Sequence, residues 1–192
     1  MLKNYLKLLK QICKKFGRKN KDVFDIVIYG SAVKGEVKSR DIDIIVIFLS
    51  GEKKERLSKA YEFKEILTEL FKYEILDIKE MLVTDFFNPN FLAREGIILE
   101  GISLIKNAPM AKLFGFESFS LFSYNLKGIS HTQKIKFNYA LKGRRNKGIL
   151  DILYGKSIGL GMILIPINYS REFETFLKEW KISYKEYKLL MK

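Results

Sequence analysis

Helical and strand periodicities alternate along the first half of the chain. Leu2, Leu6, Leu9, Ile12 or Cys13, and Phe16 recur every three or four residues, which predicts an amphipathic opening helix that ends at Gly17. Val23 to Tyr29 and Ile42 to Phe48 are short apolar runs rich in β-branched residues and predict buried strands. A helix from about Lys53 to Phe71 and a strand over 73–78 follow. Thr84 or Asp85 reads as the N-cap of a short segment around Phe86 and Phe87; Pro89 interrupts it, and Phe91 to Ile105 carries another helical pattern. Asn107-Ala108-Pro109 is the best boundary, dividing the chain into 1–108 and 109–192. Beyond it the pattern predicts strand 119–126, helix 130–142, a short helix over 147–154, strand 160–167, helix 170–180 and strand 183–190. The expected fold class is α/β (α+β): a small mixed sheet backed by helices, then a second α+β module.

The junctions between these elements carry candidate chemistry. The first strand empties at Gly30-Ser31 into a segment that can open a helix, where free backbone N–H groups and the positive end of a dipole favour phosphate. Gly30 lets the backbone approach an anion without a Cβ, and the Ser31 hydroxyl adds a donor. Asp41 and Asp43 stand two apart at the start of the next strand, so both carboxylates project to one side. Side-by-side carboxylates repel unless a divalent cation lies between them, and Mg²⁺, which favours hard oxygen ligands and phosphates, is the natural guest. Asp77, expected at the end of the strand 73–78, is the acid placed to complete such a site.

This pattern resembles the nucleotidyltransferase superfamily of DNA polymerase beta: Gly-Ser, then Gly, a Ser-x-Asp-x-Asp cluster and a distant Asp on a later strand. The matching residues are Gly30, Ser31, Gly35, Ser39, Asp41, Asp43 and Asp77. Within the superfamily the chain is most similar to the minimal nucleotidyltransferases, a likeness that takes in Arg94 to Ile105 (REGIILEGISLI) and spans about 1–106. The resemblance implies a catalytic core over the first domain that transfers a nucleoside monophosphate from a nucleoside triphosphate to a hydroxyl, releasing pyrophosphate. It implies that Asp41, Asp43 and Asp77 hold two Mg²⁺ ions and that Gly30 and Ser31 hold phosphates. Lys34, Ser39 and Arg40, with Lys38, are placed in sequence to join the nucleotide site.

Composition narrows the partners. The 192 residues are 47% hydrophobic, enough for a packed core, and carry a formal net charge of +13. That charge points to polyanions, although Lys-, Glu- and Ile-rich composition is also a thermophile signature. Cys13, the single cysteine, cannot form an internal disulfide, which fits a reducing cytoplasm. The longest uncharged run, Ser157 to Ser170, is too short to span a bilayer, so no membrane partner is expected.

Charge is concentrated late: residues 1–109 hold 20 Lys and Arg against 16 acids, whereas 110–192 hold 15 against 6. Lys127 to Gly148 contains seven Lys or Arg and no acid, with Phe137 and Tyr139 interleaved. Such a segment suits phosphate contact plus base stacking through Lys134, Lys136, Arg144 and Arg145; it equally suits a buried stripe of Ile135, Tyr139 and Leu141 with a solvated basic face. His131 follows Ser130, a plausible N-cap, and reads as a polar surface residue; Trp180, spaced from Phe176, reads as core. The acceptor expected from the basic module is RNA. Antitoxin-like members of the resembled family imply instead a tyrosine of a partner protein, and a non-catalytic nucleotide- or RNA-binding protein is the third reading.

Overall fold

The computed structural model describes residues 2–30 and 41–192, with side chains from residue 7 onward in the first helix. The chain forms two units, Met1–Phe114 and Gly115–Lys192.

In the first unit the described elements run α1 (Leu2–Lys19), β1 (Val23–Tyr29), β2 (Ile42–Phe48), α2 (Lys53–Leu67), β3 (Leu76–Leu82), α3 (Ala93–Glu100), β4 (Ile102–Ser103), β5 (Ala108–Pro109) and α4 (Met110–Leu113), with 3₁₀ turns at Tyr73–Ile75 and Val83–Phe87. The sheet order is β3-β2-β1-β4-β5; β2 and β3 are parallel and the other pairs antiparallel. Both sheet faces are covered. Ile26, Ile28, Ile44, Val46 and Phe48 pack with Leu9, Cys13 and Phe16 of α1 and Phe63 and Leu67 of α2. Val27, Tyr29, Ile45 and Ile47 pack with Met81, Phe86, Ile97 and Met110. A strand buried on both sides has no position to give to water, which is why β1 and β2 read as near-continuous apolar runs.

One acid sits inside this core. Asp25 of β1 is fully buried; its Oδ1 accepts from the Ser103 hydroxyl at 2.7 Å and from the Ile26 N–H at 2.8 Å. Lys106 brings its Nζ to 3.5 Å from Oδ2 and caps the Phe24 ring at 3.9 Å. These bonds tie β1 to β4 and to the turn after it. A second enclosed ion pair, Arg56 Nε to Glu80 Oε2 at 2.6 Å, joins α2 to β3.

Five expectations are adjusted. The strand expected over 73–78 starts later, after the Tyr73–Ile75 turn, so Asp77 is its second residue rather than its end. Helix α2 stops at Leu67 rather than Phe71, and α1 runs past Gly17 to Lys19. The helical pattern 91–105 breaks at Gly101, which is extended and lies so close to the Ile97 carbonyl that a Cβ would collide; the chain there turns into β4. Ala108–Pro109 pairs with Ile102–Ser103, so the residues at the expected boundary stay in the first sheet, and the units divide between Phe114 and Gly115.

The second unit is β6 (Glu117–Tyr124), α5 (His131–Lys142), α6 (Ile149–Ile152), β7 (Lys156–Gly159), β8 (Met162–Pro166), α7 (Ser170–Glu179) and β9 (Tyr184–Met191). Its antiparallel sheet has the order β7-β8-β6-β9, two interleaved strand–helix–strand crossovers of the split βαβ kind. Phe122, Ile163 and Ile165 pack against Phe137 and Leu141 of α5 and Phe173 and Leu177 of α7, with Trp180 at the margin of that core. The Ser130 hydroxyl caps α5 by accepting from the Gln133 N–H at 3.3 Å, and His131 opens the helix at the surface. The strand expected over 160–167 is β8, and an unexpected strand, β7, pairs with it through a turn at Gly161 with φ +68°. No helix among the described residues is long and apolar enough to cross a membrane.

Burial pushes the Asp25 carboxyl above its ordinary 3.8, against the smaller pull of Ser103, Ile26 and Lys106. The folded state therefore holds this proton more tightly than the unfolded chain, and the stability it brings is present below the ordinary carboxylate range and lost as pH rises through the raised value. Asp25→Asn removes that dependence. In urea denaturation from pH 4 to 8 the variant's stability relative to wild type should rise with pH; a difference that is flat or falls with pH would contradict the assignment.

Candidate active site

Strand register assembles the acids. Asp43 pairs with Asp77 across the parallel β2–β3 ladder and with Tyr29 across the antiparallel β1–β2 ladder. Directly opposed residues in a sheet project to the same face, so Tyr29, Asp43 and Asp77 form a row on three adjacent strands. Asp41, two residues before Asp43, precedes β2. Lys79, two residues after Asp77 on β3, shares the face; its Nζ lies 2.8 Å from Asp77 Oδ2, with both side chains about half exposed.

The electrostatics follow from this crowding. Burial raises the Asp43 carboxyl above its ordinary value; the Asp77 charge raises it further, Lys79 opposes, and Asp41 adds to the rise. Burial likewise raises the Tyr29 phenol, with Lys79 lowering it and Asp43 and Asp77 raising it. The hydrogen bond to Asp77 is the main cause that holds the Lys79 ammonium above its ordinary value. Among the described residues Asp43 thus has two acids as like charges and Lys79 as the opposing one.

Gly30 closes the row from β1. Its φ is +72°, and a Cβ there would stand 2.6 Å from Asp43 Oδ2. Only a residue without a side chain leaves that carboxylate its place. Ser31, Lys34, Gly35, Lys38, Ser39 and Arg40 lie outside the described residues.

The donor set suits a hard divalent cation. It offers only carboxylate oxygens, Asp43 is destabilised by its acidic neighbours, and an ammonium already partners Asp77. Among the described residues no three His, Cys, Asp or Glu side chains converge on one metal position.

In the second unit Lys136, Arg144 and Arg145 are exposed and Lys134 is partly so. The two arginines stand in a tight loop closed by a bridge between Gly143 and Lys147, and Arg144 stacks over the exposed Tyr139 ring with Cζ 4.8 Å from its centroid. Phe137, expected to be available for stacking, is fully buried beneath Trp180 and Phe176, because α5 turns it and Leu141 to the core together. The expected buried stripe is thus split: Leu141 is inside, while Ile135 and Tyr139 are outside. Tyr29 and Lys79 went unnoticed in the sequence. The signal for Lys79 was there, two residues from Asp77 on one strand; that for Tyr29 needed the register.

Residues 7–99 match the family model of the nucleotidyltransferase domain, from within α1 to within α3. The match spans a little under half of the 192 residues, and this segment carries a nucleotidyltransferase domain. The chain is also similar to two solved structures, a mutant form of the MntA–HpeT toxin–antitoxin pair (16% identity, TM-score 0.36) and a toxin–antitoxin with AMP-PNP (18% identity, TM-score 0.36). Each likeness covers 50% of this chain and 71% of the other. No curated protein matches it.

Gly30→Ala tests the close approach of β1 to Asp43. A side chain in the left-handed region costs about 1–2 kcal/mol, and the added methyl has to push the carboxylate aside. Thermal denaturation should show that modest loss, while nucleotidyl transfer falls out of proportion to it. A variant with full activity would mean Asp43 need not stand where the register puts it.

Proposed function

We propose that this enzyme transfers a nucleoside monophosphate from a nucleoside triphosphate to a hydroxyl of RNA and releases pyrophosphate. The observation that carries the chemistry is the pairing of Asp43 with Asp77 at one step of neighbouring parallel strands, with Asp41 two residues away. In this reading Asp41 and Asp43 hold two Mg²⁺ ions and Asp77 completes the set. Bound there, the ions supply neutralisation of the triphosphate and of the charge that develops on the attacking and leaving oxygens.

The chain's own residues do the rest. Asp77, at the half-exposed edge strand of the row, lies toward the acceptor and takes up the proton of its hydroxyl. The backbone at Gly30 and Ser31 holds the outer phosphates, with Lys34, Ser39 and Arg40 beside them. Gly30, having no Cβ, keeps that backbone close to Asp43. This is catalysis mainly by positioning and charge, in which a few acids count heavily.

RNA is favoured as acceptor by the second unit. Residues 127–148 carry seven Lys or Arg and no acid. Arg144 on Tyr139 forms an exposed cation–aromatic pair beside Arg145, a surface that can meet a phosphate and a base face together. The experiment is to incubate the protein with each labelled triphosphate, Mg²⁺ and either total RNA or a cell protein extract. Label in RNA supports the proposal. Label on a protein tyrosine that survives ribonuclease would identify a protein acceptor instead.

Two variants sharpen this. Asp43→Asn should cut transfer about a thousandfold, some 4 kcal/mol of barrier, while leaving the fold as stable or more so, since a repelled charge is gone. Retention of a tenth of the rate would exclude the assigned role. Joint replacement of Arg144 and Arg145 by alanine should flatten the log–log salt dependence of single-stranded RNA binding by about 1.4, at about 0.7 per phosphate contact. The loss should be equal for unrelated sequences, because phosphate contacts read no sequence. Unchanged slopes in filter binding across a salt series would remove these arginines from the interface.

A further inference from the structure

Lys79 belongs to none of the roles above, yet among the described residues it is the cation that stands on the acids. Its Nζ is 2.8 Å from Asp77 Oδ2, and its charge opposes that of the acids on both Asp43 and Tyr29. As a staple for the fold the contact is poor: two half-exposed side chains, two residues apart on one edge strand, add little stability. As a local neutraliser it is well placed. Asp77 stands beside Asp43 with no room in the ladder to move away, and Lys79 leans back along β3 onto the same face.

We propose that Lys79 is a built-in counter-ion for the Asp43–Asp77 pair, which a divalent cation has to displace from Asp77, so that this one lysine sets how tightly the site takes metal. The inference rests on the reading of Asp41, Asp43 and Asp77 as the metal ligands. Its physics is competition. An ammonium at hydrogen-bond distance and a divalent cation seek the same carboxylate oxygen, and the unit charge of the ammonium also repels the incoming ion. Removing the charge while keeping the length of the side chain takes away both terms. Exchanging lysine for arginine keeps both. Lys79 in this sense sets the affinity of the site through Asp77 and is itself no ligand.

The test is a Mn²⁺ titration of the intact chain without nucleotide, with free ion followed by electron paramagnetic resonance, on wild type, Lys79→Met, Lys79→Gln, Lys79→Arg and Asp43→Asn. The two neutral variants should bind Mn²⁺ about three- to tenfold more tightly than wild type, and Lys79→Arg should stay at the wild-type affinity. The gain should shrink in 1 M KCl, where the Debye length falls to about 3 Å. Melting temperatures of the Lys79 variants should stay close to wild type, which separates the effect from damage to the strand. Equal or weaker Mn²⁺ binding in both neutral variants, with binding still lost in Asp43→Asn, would overturn the role of Lys79 and leave the ligand assignment standing. Wild-type Mn²⁺ binding by Asp43→Asn would overturn the ligand assignment and the proposal with it.

Discussion

Two like charges held at one step of a parallel ladder are the constraint around which the first unit is arranged. Asp43 and Asp77 cannot separate, because the register that pairs them also pairs Ile44 with Ile78 and Phe48 with Leu82, and slipping by one residue would turn every apolar side chain of β2 to the wrong face. The apolar core therefore supplies the force that opposes the repulsion. Ile44, Val46 and Phe48 are held by α1 and α2 on one face, while Ile45 and Ile47 are held on the other. Burial on both sides makes β2 rigid, and rigidity is what keeps the acids crowded. That crowding is what the proposed cation site rests on.

Much of this was legible in the residues, for reasons that differ by element. β1 and β2 begin and end where the reading placed them, since β-branched runs bounded by charged residues or Gly leave little choice. β3 was harder, because Tyr73 to Ile75 is as apolar as the strand it precedes, and only the 3₁₀ turn separates them. Gly101 lies inside the helical pattern read over 91–105, and nothing in that pattern announces the extended backbone at which α3 ends. β7 was harder still: Lys156-Ser157-Ile158-Gly159 is exposed throughout and has one apolar residue, so nothing in it marks a strand until it pairs with the apolar β8. Phe137 and Tyr139 are two apart on a helix and so cannot share a face, a fact that composition alone conceals.

The second unit follows a separate logic. Its helices fill one face of the sheet with an aromatic cluster, Phe122, Phe137, Phe173 and Phe176, and this core is built from its own elements alone. Charge is then free to collect elsewhere on the surface without disturbing the packing. The loop 143–147 shows how. Gly143 adopts φ +83°, where a Cβ would strike the Asn146 carbonyl, and the tight turn it permits displays Arg144 and Arg145 side by side. Two cations beside each other repel, so the turn holds them by backbone geometry while Tyr139 takes one of them on its face.

Asp25 and Asp43 lie on neighbouring strands and are both raised by burial, yet their surroundings assign them opposite functions. Asp25 is partnered from inside: a serine hydroxyl and a backbone N–H donate to its Oδ1, a lysine ammonium stands 3.5 Å from its Oδ2, and each lowers its pKa. An acid so enclosed is a strut, joining β1 to β4. Asp43 receives no such company. After burial, its largest influence is another carboxylate, and among the described residues the cation that relieves it is bonded to that neighbour rather than to Asp43 itself. Burial alone therefore does not distinguish a structural acid from a functional one; the sign of the nearest charges does. An acid met by donors is held by its own fold, whereas an acid set beside acids is left, on the reading proposed above, to a cation that only partly comes from within.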